Sequence, residues 1–321
     1  MLGFVETDPK SSSILGLPII DWPTLASKDS KAQVALGIFN RAMPMDKLVD
    51  LHHSFGFSSM IMPWESYDML SQAMGWRYWL SKREFILSNM DRIEKVASLL
   101  SDQESRDSLL RITAFRLGHD LSYASYQSDE QQYFNSLTLA KFNGSGITYI
   151  DCGAYNGDTY IDLANHPQIN IKRAFLFEPD PQNFTNLVEN TKGRKHDTFC
   201  LPMGVGEQYK MMNFTSGMGE SGAVQSSGNT SIAIVSLDEI FDNSQIDFIK
   251  IDVEGGEASI FRGAKKVIER SRPVIAASLY HNPQDIWELP EILFEICEDY
   301  HFYIRQHYFN TFDSVLYAVP K

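Results

Sequence analysis

"YIDCGAYNGDTYIDL", residues 149–163, places a glycine-rich turn directly after a short apolar run and directly before a helical pattern. Strand, loop and helix in that order open a nucleotide-binding α/β unit. Here acid frames the glycines, with Asp151 ahead of them and Asp158 behind. A dinucleotide fingerprint needs GxGxxG so that backbone amides and a helix N-terminus can meet a pyrophosphate. This loop offers only Gly153 and Gly157, spaced GxxxG. Carboxylates beside a pyrophosphate repel it, so a cationic ligand without phosphate suits the loop better.

Outward from the loop, strands and helices alternate from residue 146 to the end, which predicts a mostly parallel sheet covered on both faces. Strands are expected at "ITYIDC", "RAFLFEP", "DTFCLPMGV", "IDFIKIDV" and "RPVIAASLY", and helices at 157–165, 181–192, 256–269 and 285–298. Between the third and fourth strands, residues 206–241 read as an extra hairpin with a Gly/Ser-rich, mobile tip at 215–230, then a short helix. The chain closes on "HFYIRQHY", the turn "FNT" and "DSVLYAVP", two strands joined too tightly to be parallel. A nucleotide-binding sheet finished by an antiparallel hairpin is the outline of a class I methyltransferase. S-adenosylmethionine, with a sulfonium and an ammonium and no phosphate, fits the acidic loop. About twenty residues past the second glycine, Glu178 in "LFEPD" ends the second strand, where a carboxylate can accept from both ribose hydroxyls.

In "KIDVEGGE", Lys250, Asp252 and Glu254 alternate along the fourth strand and so share the side that opens on the ligand crevice. Ionised groups in an apolar strand must be paired or functional; an internal Lys–carboxylate pair is the structural alternative. Glu257, at the start of the next helix, is explained by the helix dipole alone. His281, in "LYHNPQD" at the end of the fifth strand, titrates in the range useful to a general base, as an alternative to Asp252 or Glu254. Arg305 and His307 in "YIRQHY" are candidates to face an anionic or polyhydroxyl acceptor. Asp252, Glu254 and His281 are also able to gather a divalent ion, a reading ranked behind a metal-free site.

The charge balance, Lys+Arg 28 against Asp+Glu 41, gives −13 and argues against a general affinity for nucleic acid or anionic membrane. No apolar run reaches spanning length, and no leader pattern opens the chain, so no membrane insertion is expected. Cys152, Cys200 and Cys297 lack disulfide or zinc spacing, which fits the cytoplasm. Three zones are expected: residues 1–75 a small α/β domain, 76–135 a helical connector and 136–321 the catalytic domain. Within the connector, Ile86, Met90, Ile93, Val96 and Leu100 recur at helical spacing, and "SDQE" at 101–104 reads as a capping box opening a helix through Phe115.

Taken together, "YIDCGAYNGDT", "LFEPDPQNF", "SLDEIFDNSQIDFIKIDVEGGEASIFRGAKKVI" and "RPVIAASLYHNPQDIWELPEIL" resemble the FkbM family of S-adenosylmethionine-dependent methyltransferases over residues 130–320. The resemblance implies O-methylation of a saccharide or natural-product hydroxyl by in-line transfer with general-base assistance, leaving S-adenosylhomocysteine. It also implies that Asp151, Gly153, Ala154 and Gly157 line the methionine part of the cofactor and Glu178 its ribose. Pro179, Asp180, Met203 and Gly204 then fall near the adenine, while Tyr133 and Phe134 belong to a lead-in that covers the cofactor. Residues 1–75 resemble the second part of a small nucleotide-binding-like domain found ahead of such catalytic domains, shortened by its first strand and glycine-rich loop. Without that loop the domain has no phosphate site, which implies docking to a protein partner or self-association. Two other functions stay open: a non-catalytic cofactor-binding scaffold in a polysaccharide assembly, and an NAD-dependent sugar-modifying enzyme. The latter calls for GxGxxG after the first strand, which is absent, together with a Tyr-xxx-Lys pair.

Overall fold

The structure, a computed structural model, describes residues 3–37, 41, 43–122, 127–142, 144, 146–194, 196–214 and 230–321. Three short strands, β1 (Phe4–Val5), β2 (Ser13–Ile14) and β3 (Leu17–Ile20), form a small sheet in the order β1-β3-β2. Helix α1 (Trp22–Lys28) follows, capped by Asp21, whose side chain accepts from Thr24 N. Strand β4 (Val34–Ala35), helix α2 (Met45–Ser54) and strand β5 (Met60–Ile61) form a second unit with its strands parallel. Helix α3 (Pro63–Met74) begins with proline, where the missing N–H has no consequence, and the Glu65 carboxylate accepts from Met62 N.

Helices α4 (Arg83–Leu87), α5 (Met90–Leu99) and α6 (Gln103–Arg116) come next, then the short α7 (Ser136–Leu139). The apolar stripe read in the sequence faces inward: Ile86, Ile93, Val96 and Leu100 all belong to the main core. The start of α6 departs from the capping box. Asp102 is the cap, accepting from Ser105 N, while Ser101 accepts from Phe302 N through its hydroxyl.

The main sheet uses β6 (Ile147–Cys152), β7 (Ile171–Phe177) and β8 (Asp197–Leu201), with α8 (Asp158–Asn165) and α9 (Pro181–Thr191) as crossovers. A second, three-stranded sheet holds β9 (Gly204–Val205), β10 (Lys210–Phe214) and β11 (Thr230–Val235). The extra hairpin is therefore present as β10 and β11, antiparallel, whereas the tip at residues 215–229 lies outside the described residues. "DTFCLPMGV" is two strands in two sheets, divided around Pro202, which has no N–H to extend a ladder. Then follow α10 (Leu237–Ile240), β12 (Phe248–Ile251), α11 (Glu257–Gly263), α12 (Lys265–Ser271), β13 (Val274–Ser278), α13 (Asp285–Ile296), β14 (Tyr300–Gln306) and β15 (Ser314–Pro320). The single helix expected over 256–269 is interrupted at Ala264, just after Gly263, which packs so closely on Gly206 that an added Cβ would stand 2.1 Å from its carbonyl oxygen.

The order is β14-β15-β13-β12-β6-β7-β8, and β15 alone among these strands runs against the others, inserted between β13 and β14. The fold is thus α/β, with a mostly parallel seven-stranded sheet and the antiparallel terminal hairpin expected of a methyltransferase. Alternation along the strands divides the core by face. Ile150, Ile249, Ile251 and Ala277 pack under α5, α6 and α11–α13, while Tyr149, Phe248, Ala276 and Tyr317 pack against α8 and α9. A further core joins Trp64 and Trp79 to Phe115, Tyr280 and Phe312, so residues ahead of the sheet pack directly on its C-terminal rim. Among the described residues no helix is long and apolar enough to cross a membrane.

Candidate active site

The carboxyl ends of parallel strands β6, β7 and β12 converge on a cavity of about 720 Å³. Strand ends open a crevice there because each chain must turn away into its crossover. After β6 the turn passes through Gly153 at φ 85°, where an added Cβ would stand 1.9 Å from the Asp252 carbonyl oxygen. Only glycine fits that left-handed, tightly packed position.

One half of the cavity is apolar. Phe177, Pro179, Gly204, Val205, Ile232 and Ile234 line it, a slot of the kind a purine ring fills. At its edge Glu178 accepts from Tyr155 N at 2.8 Å through Oε2 and from Asp180 N at 2.9 Å through Oε1. Burial pushes its carboxyl up to about 7 against the lowering effect of these amides. The Asn183 side chain is a third hydrogen-bond partner of this carboxylate, which offers about four acceptor sites in all. Sequence reasoning missed Ile232 and Ile234, although the alternation in "SIAIV" marks them as one face of a strand.

The other half is charged. Tyr133 OH donates to Asp252 Oδ2 at 3.1 Å, and Tyr280 OH to Asp252 Oδ1 at 3.3 Å. Burial alone would raise Asp252, but Lys250 and His281 hold it below the ordinary carboxylate value. Asp158, Lys250 and Glu254 line the same cavity. Lys250, Asp252 and Glu254 were expected on one strand face; instead β12 ends at Ile251 and Glu254 sits in a left-handed turn at φ 57°. They meet in the cavity because the chain turns, not because the strand continues.

His281 does not occupy the position of a general base. It is 1 % exposed, with Nδ1 at 2.6 Å from Glu257 Oε1 and Nε2 at 3.3 Å from Asp252 Oδ1. Burial lowers its affinity for a proton, but Glu257, Asp252 and Glu254 together carry its pKa up to about 10. With a carboxylate on each nitrogen the ring is an imidazolium with no lone pair to take a proton. Asp252, Glu257 and His281 place ligand atoms within 4.8 Å of one another, Glu257 standing where Glu254 was expected. Within this set His281 is hydrogen-bonded to Glu257 and ion-paired with Asp252. Glu257, explained from sequence by the helix dipole alone, is 1 % exposed and accepts from Val253 N and His281.

Several expected contacts lie elsewhere. Asp151 is fully buried, 3.0 Å from Lys250 Nζ and accepting from Tyr149 OH at 3.0 Å, so it neutralises Lys250 behind the cavity wall. Asp180 caps α9 by accepting from Gln182 N and Asn183 N. Gly157, also left-handed at φ 86°, starts α8; Ala154 and Phe134 are core; Met203 packs against the main core. Arg305 does not reach an acceptor pocket: Nη2 lies 2.6 Å from Asp102 Oδ2 and Nε 3.0 Å from Glu104 Oε1, joining β14 to α6. His307 is buried with Nε2 at 2.7 Å from Tyr317 OH, and desolvation pushes it down to about 4. Arg305 is drawn to the start of α6, which packs on β14, and His307, one residue past β14, to Tyr317 of β15, pairings that residue order alone does not reveal. Wall residues that the sequence did not single out also include Arg41, Tyr78, Tyr280, Phe312 and Asp313.

The sequence model of the methyltransferase FkbM domain matches residues 151–311, half of the chain. Among solved structures, a methyltransferase FkbM from Methylobacillus flagellatus KT is similar over 99% of this chain and 83% of that chain, with 21% identity and a TM-score of 0.72. A fibrillarin from Aeropyrum pernix, in complex with natively bound S-adenosyl-L-methionine, aligns over 57% of this chain and 73% of that chain, with 13% identity and a TM-score of 0.34. No curated protein matches the chain. The matched segment runs from Asp151 through the strand ends that wall the cavity to the turn of the terminal hairpin, and the chain belongs to the FkbM methyltransferase family.

Proposed function

We propose that the protein is an S-adenosylmethionine-dependent O-methyltransferase acting on a hydroxyl of a saccharide. The observation that carries this reading is Glu178, a cavity-lining carboxylate at the end of β7, oriented by Tyr155 N, Asp180 N and the Asn183 side chain beside an apolar slot. That donor set fits an adenosine: the slot takes the base and Glu178 the ribose hydroxyls. Gly153 and Asp158 would border the methionine part, and Tyr133 would cover it. When bound, the cofactor supplies a methyl group on a sulfonium, ready for displacement.

The chain's own part is to align the acceptor hydroxyl and remove its proton. Asp252 is the acceptor of that proton in this reading, held ionised by Lys250 and His281 and oriented by Tyr133 and Tyr280. Glu254 adds negative charge beside it, and His281 with Glu257 positions it from behind. Support for a sugar acceptor is the aromatic lining of the end away from Glu178, where Tyr78, Tyr280 and Phe312 meet. A divalent ion is not part of the reading. In this reading residues 1–75, 76–135 and 136–321 are three units, and the three free cysteines support a cytoplasmic setting.

Isothermal titration with S-adenosylmethionine, S-adenosylhomocysteine and NAD on the wild type and Glu178→Ala tests the cofactor. Binding of the two S-adenosyl ligands alone, weakened about tenfold or more by the substitution, is expected. Binding of NAD alone, or of nothing, would overturn the reading.

A further inference from the structure

The segment ahead of the methyltransferase sheet is fastened to the mouth of the cavity by specific bonds. Asn310, 2 % exposed in the turn between β14 and β15, accepts from Met45 N at 3.0 Å and donates to Met43 O at 2.8 Å. Trp76 Nε1 donates to His281 O at 3.0 Å. Between these anchors and the sheet, Arg41 and Tyr78 reach the cavity wall. Arg41 Nη1 lies 3.7 Å from Asp313 Oδ1, and Tyr78 packs edge-on against Phe312 with ring centroids 5.4 Å apart.

The chemistry of this end is specific. A guanidinium that only donates stands beside a carboxylate that accepts, next to aromatic side chains. Neighbouring hydroxyls on a saturated ring offer the matching acceptor and donor, and the ring's C–H face rests on an aromatic surface. Asp252, Glu254 and Asp313 line this half against Arg41, so a carboxylate on the acceptor would be repelled.

We propose that the N-terminal segment completes the active site, with Arg41, set in place by the Asn310 clamp, reading together with Asp313 the hydroxyls of an uncharged sugar ring. This rests on the saccharide methyltransferase reading above and goes beyond it by making residues 41–78 a determinant of acceptor choice in addition to any docking role.

The test uses the full-length protein loaded with S-adenosylhomocysteine. Saturation-transfer NMR measures binding of methyl pyranosides in gluco, galacto and manno configuration and of methyl glucuronide, and calorimetry measures the cofactor product. Arg41→Ala, Arg41→Lys and Asn310→Gly are compared; the glycine keeps the left-handed backbone while removing the amide. The expected result is an uncharged glycoside preferred over the glucuronide, its affinity falling about tenfold in Arg41→Ala and in Asn310→Gly, and partly restored in Arg41→Lys. S-adenosylhomocysteine affinity should stay within about twofold throughout. Unchanged glycoside binding in Arg41→Ala overturns the proposal, as does a parallel loss of the cofactor product. Preference for the glucuronide overturns the charge argument. A wild type that binds S-adenosylhomocysteine but no glycoside overturns this proposal and the saccharide acceptor while leaving the cofactor site standing. Failure to bind S-adenosylhomocysteine overturns the cofactor reading itself.

Discussion

His281 shows how burial and neighbours convert a residue type into a role. Its folded pKa of about 10 stands above the ordinary value of 6.5, so the stabilisation it brings is fully present below pH 6.5 and is lost as pH rises through about 10. Removing it leaves Asp252 and Glu257 facing each other without the shared cation. His281→Ala should therefore destabilise the protein by about 3–5 kcal/mol at neutral pH. The gap should narrow between pH 7 and 10, as measured by urea unfolding. At saturating substrates, kcat should show no inflection near the ordinary histidine value, because this imidazole does not titrate there. Glu178 behaves in the opposite functional sense. Its carboxyl, raised to about 7 from 4.5, favours the protonated form in the folded protein, so its contribution to stability is complete below 4.5 and fades as pH rises through about 7. Accepting from two ribose hydroxyls requires the ionised form. Affinity for S-adenosylhomocysteine should accordingly fall as pH drops below about 7, and Glu178→Gln should flatten that dependence.

The loop between β6 and α8 and the contact between α6 and β14 make opposite predictions. Gly153→Ala forces a left-handed alanine against the Asp252 carbonyl, where the added Cβ would stand 1.9 Å from oxygen. The backbone conformation alone costs about 1–2 kcal/mol, and relief of the clash must move the end of β12. Calorimetry should show loss of S-adenosylhomocysteine binding together with lowered stability. Arg305, which bonds Ser105 and pairs with Asp102 and Glu104, is a fastener between α6 and β14. Arg305→Leu should lower stability by about 2 kcal/mol, since both carboxylates can turn to water, and leave S-adenosylhomocysteine affinity unchanged. A fall in affinity without a fall in stability would return Arg305 to the site.

Across the whole molecule, residues 1–75 share a core with the sheet. Met45, Met62 and Trp64 pack with Trp79, Phe115, Tyr280 and Phe312, so a chain begun at residue 76 would expose large aromatic surfaces. Each such side chain is worth about 1.5–3 kcal/mol when fully buried. The truncated chain should unfold several kcal/mol sooner in urea, with red-shifted tryptophan emission. A truncation as stable as the full chain would show that the segment packs only loosely on the rest.

The order of strands and helices from residue 147 onward, the closing hairpin, the loop carrying Gly153 and the carboxylate at Glu178 were all legible in the sequence, because each depends on local periodicity, turn chemistry and the end of one strand. Which charges face the cavity was not. Asp151 and Asp252 are both acids at strand ends, yet one is buried against Lys250 and the other opens on the crevice, a difference set by the register of β6 against β12. Arg305 and His307 alternate as cavity residues would, but Arg305 pairs with the start of α6 and His307 with Tyr317 of β15. Arg41 and Tyr78 lie far from the motif in sequence and reach the site only because Asn310 and Trp76 tie their segment to the rim. Local pattern thus determined the scaffold and the Glu178 half of the cavity, whereas burial and long-range pairing, which depend on what each element packs against, decided how the charges pair and which residues form the opposite wall.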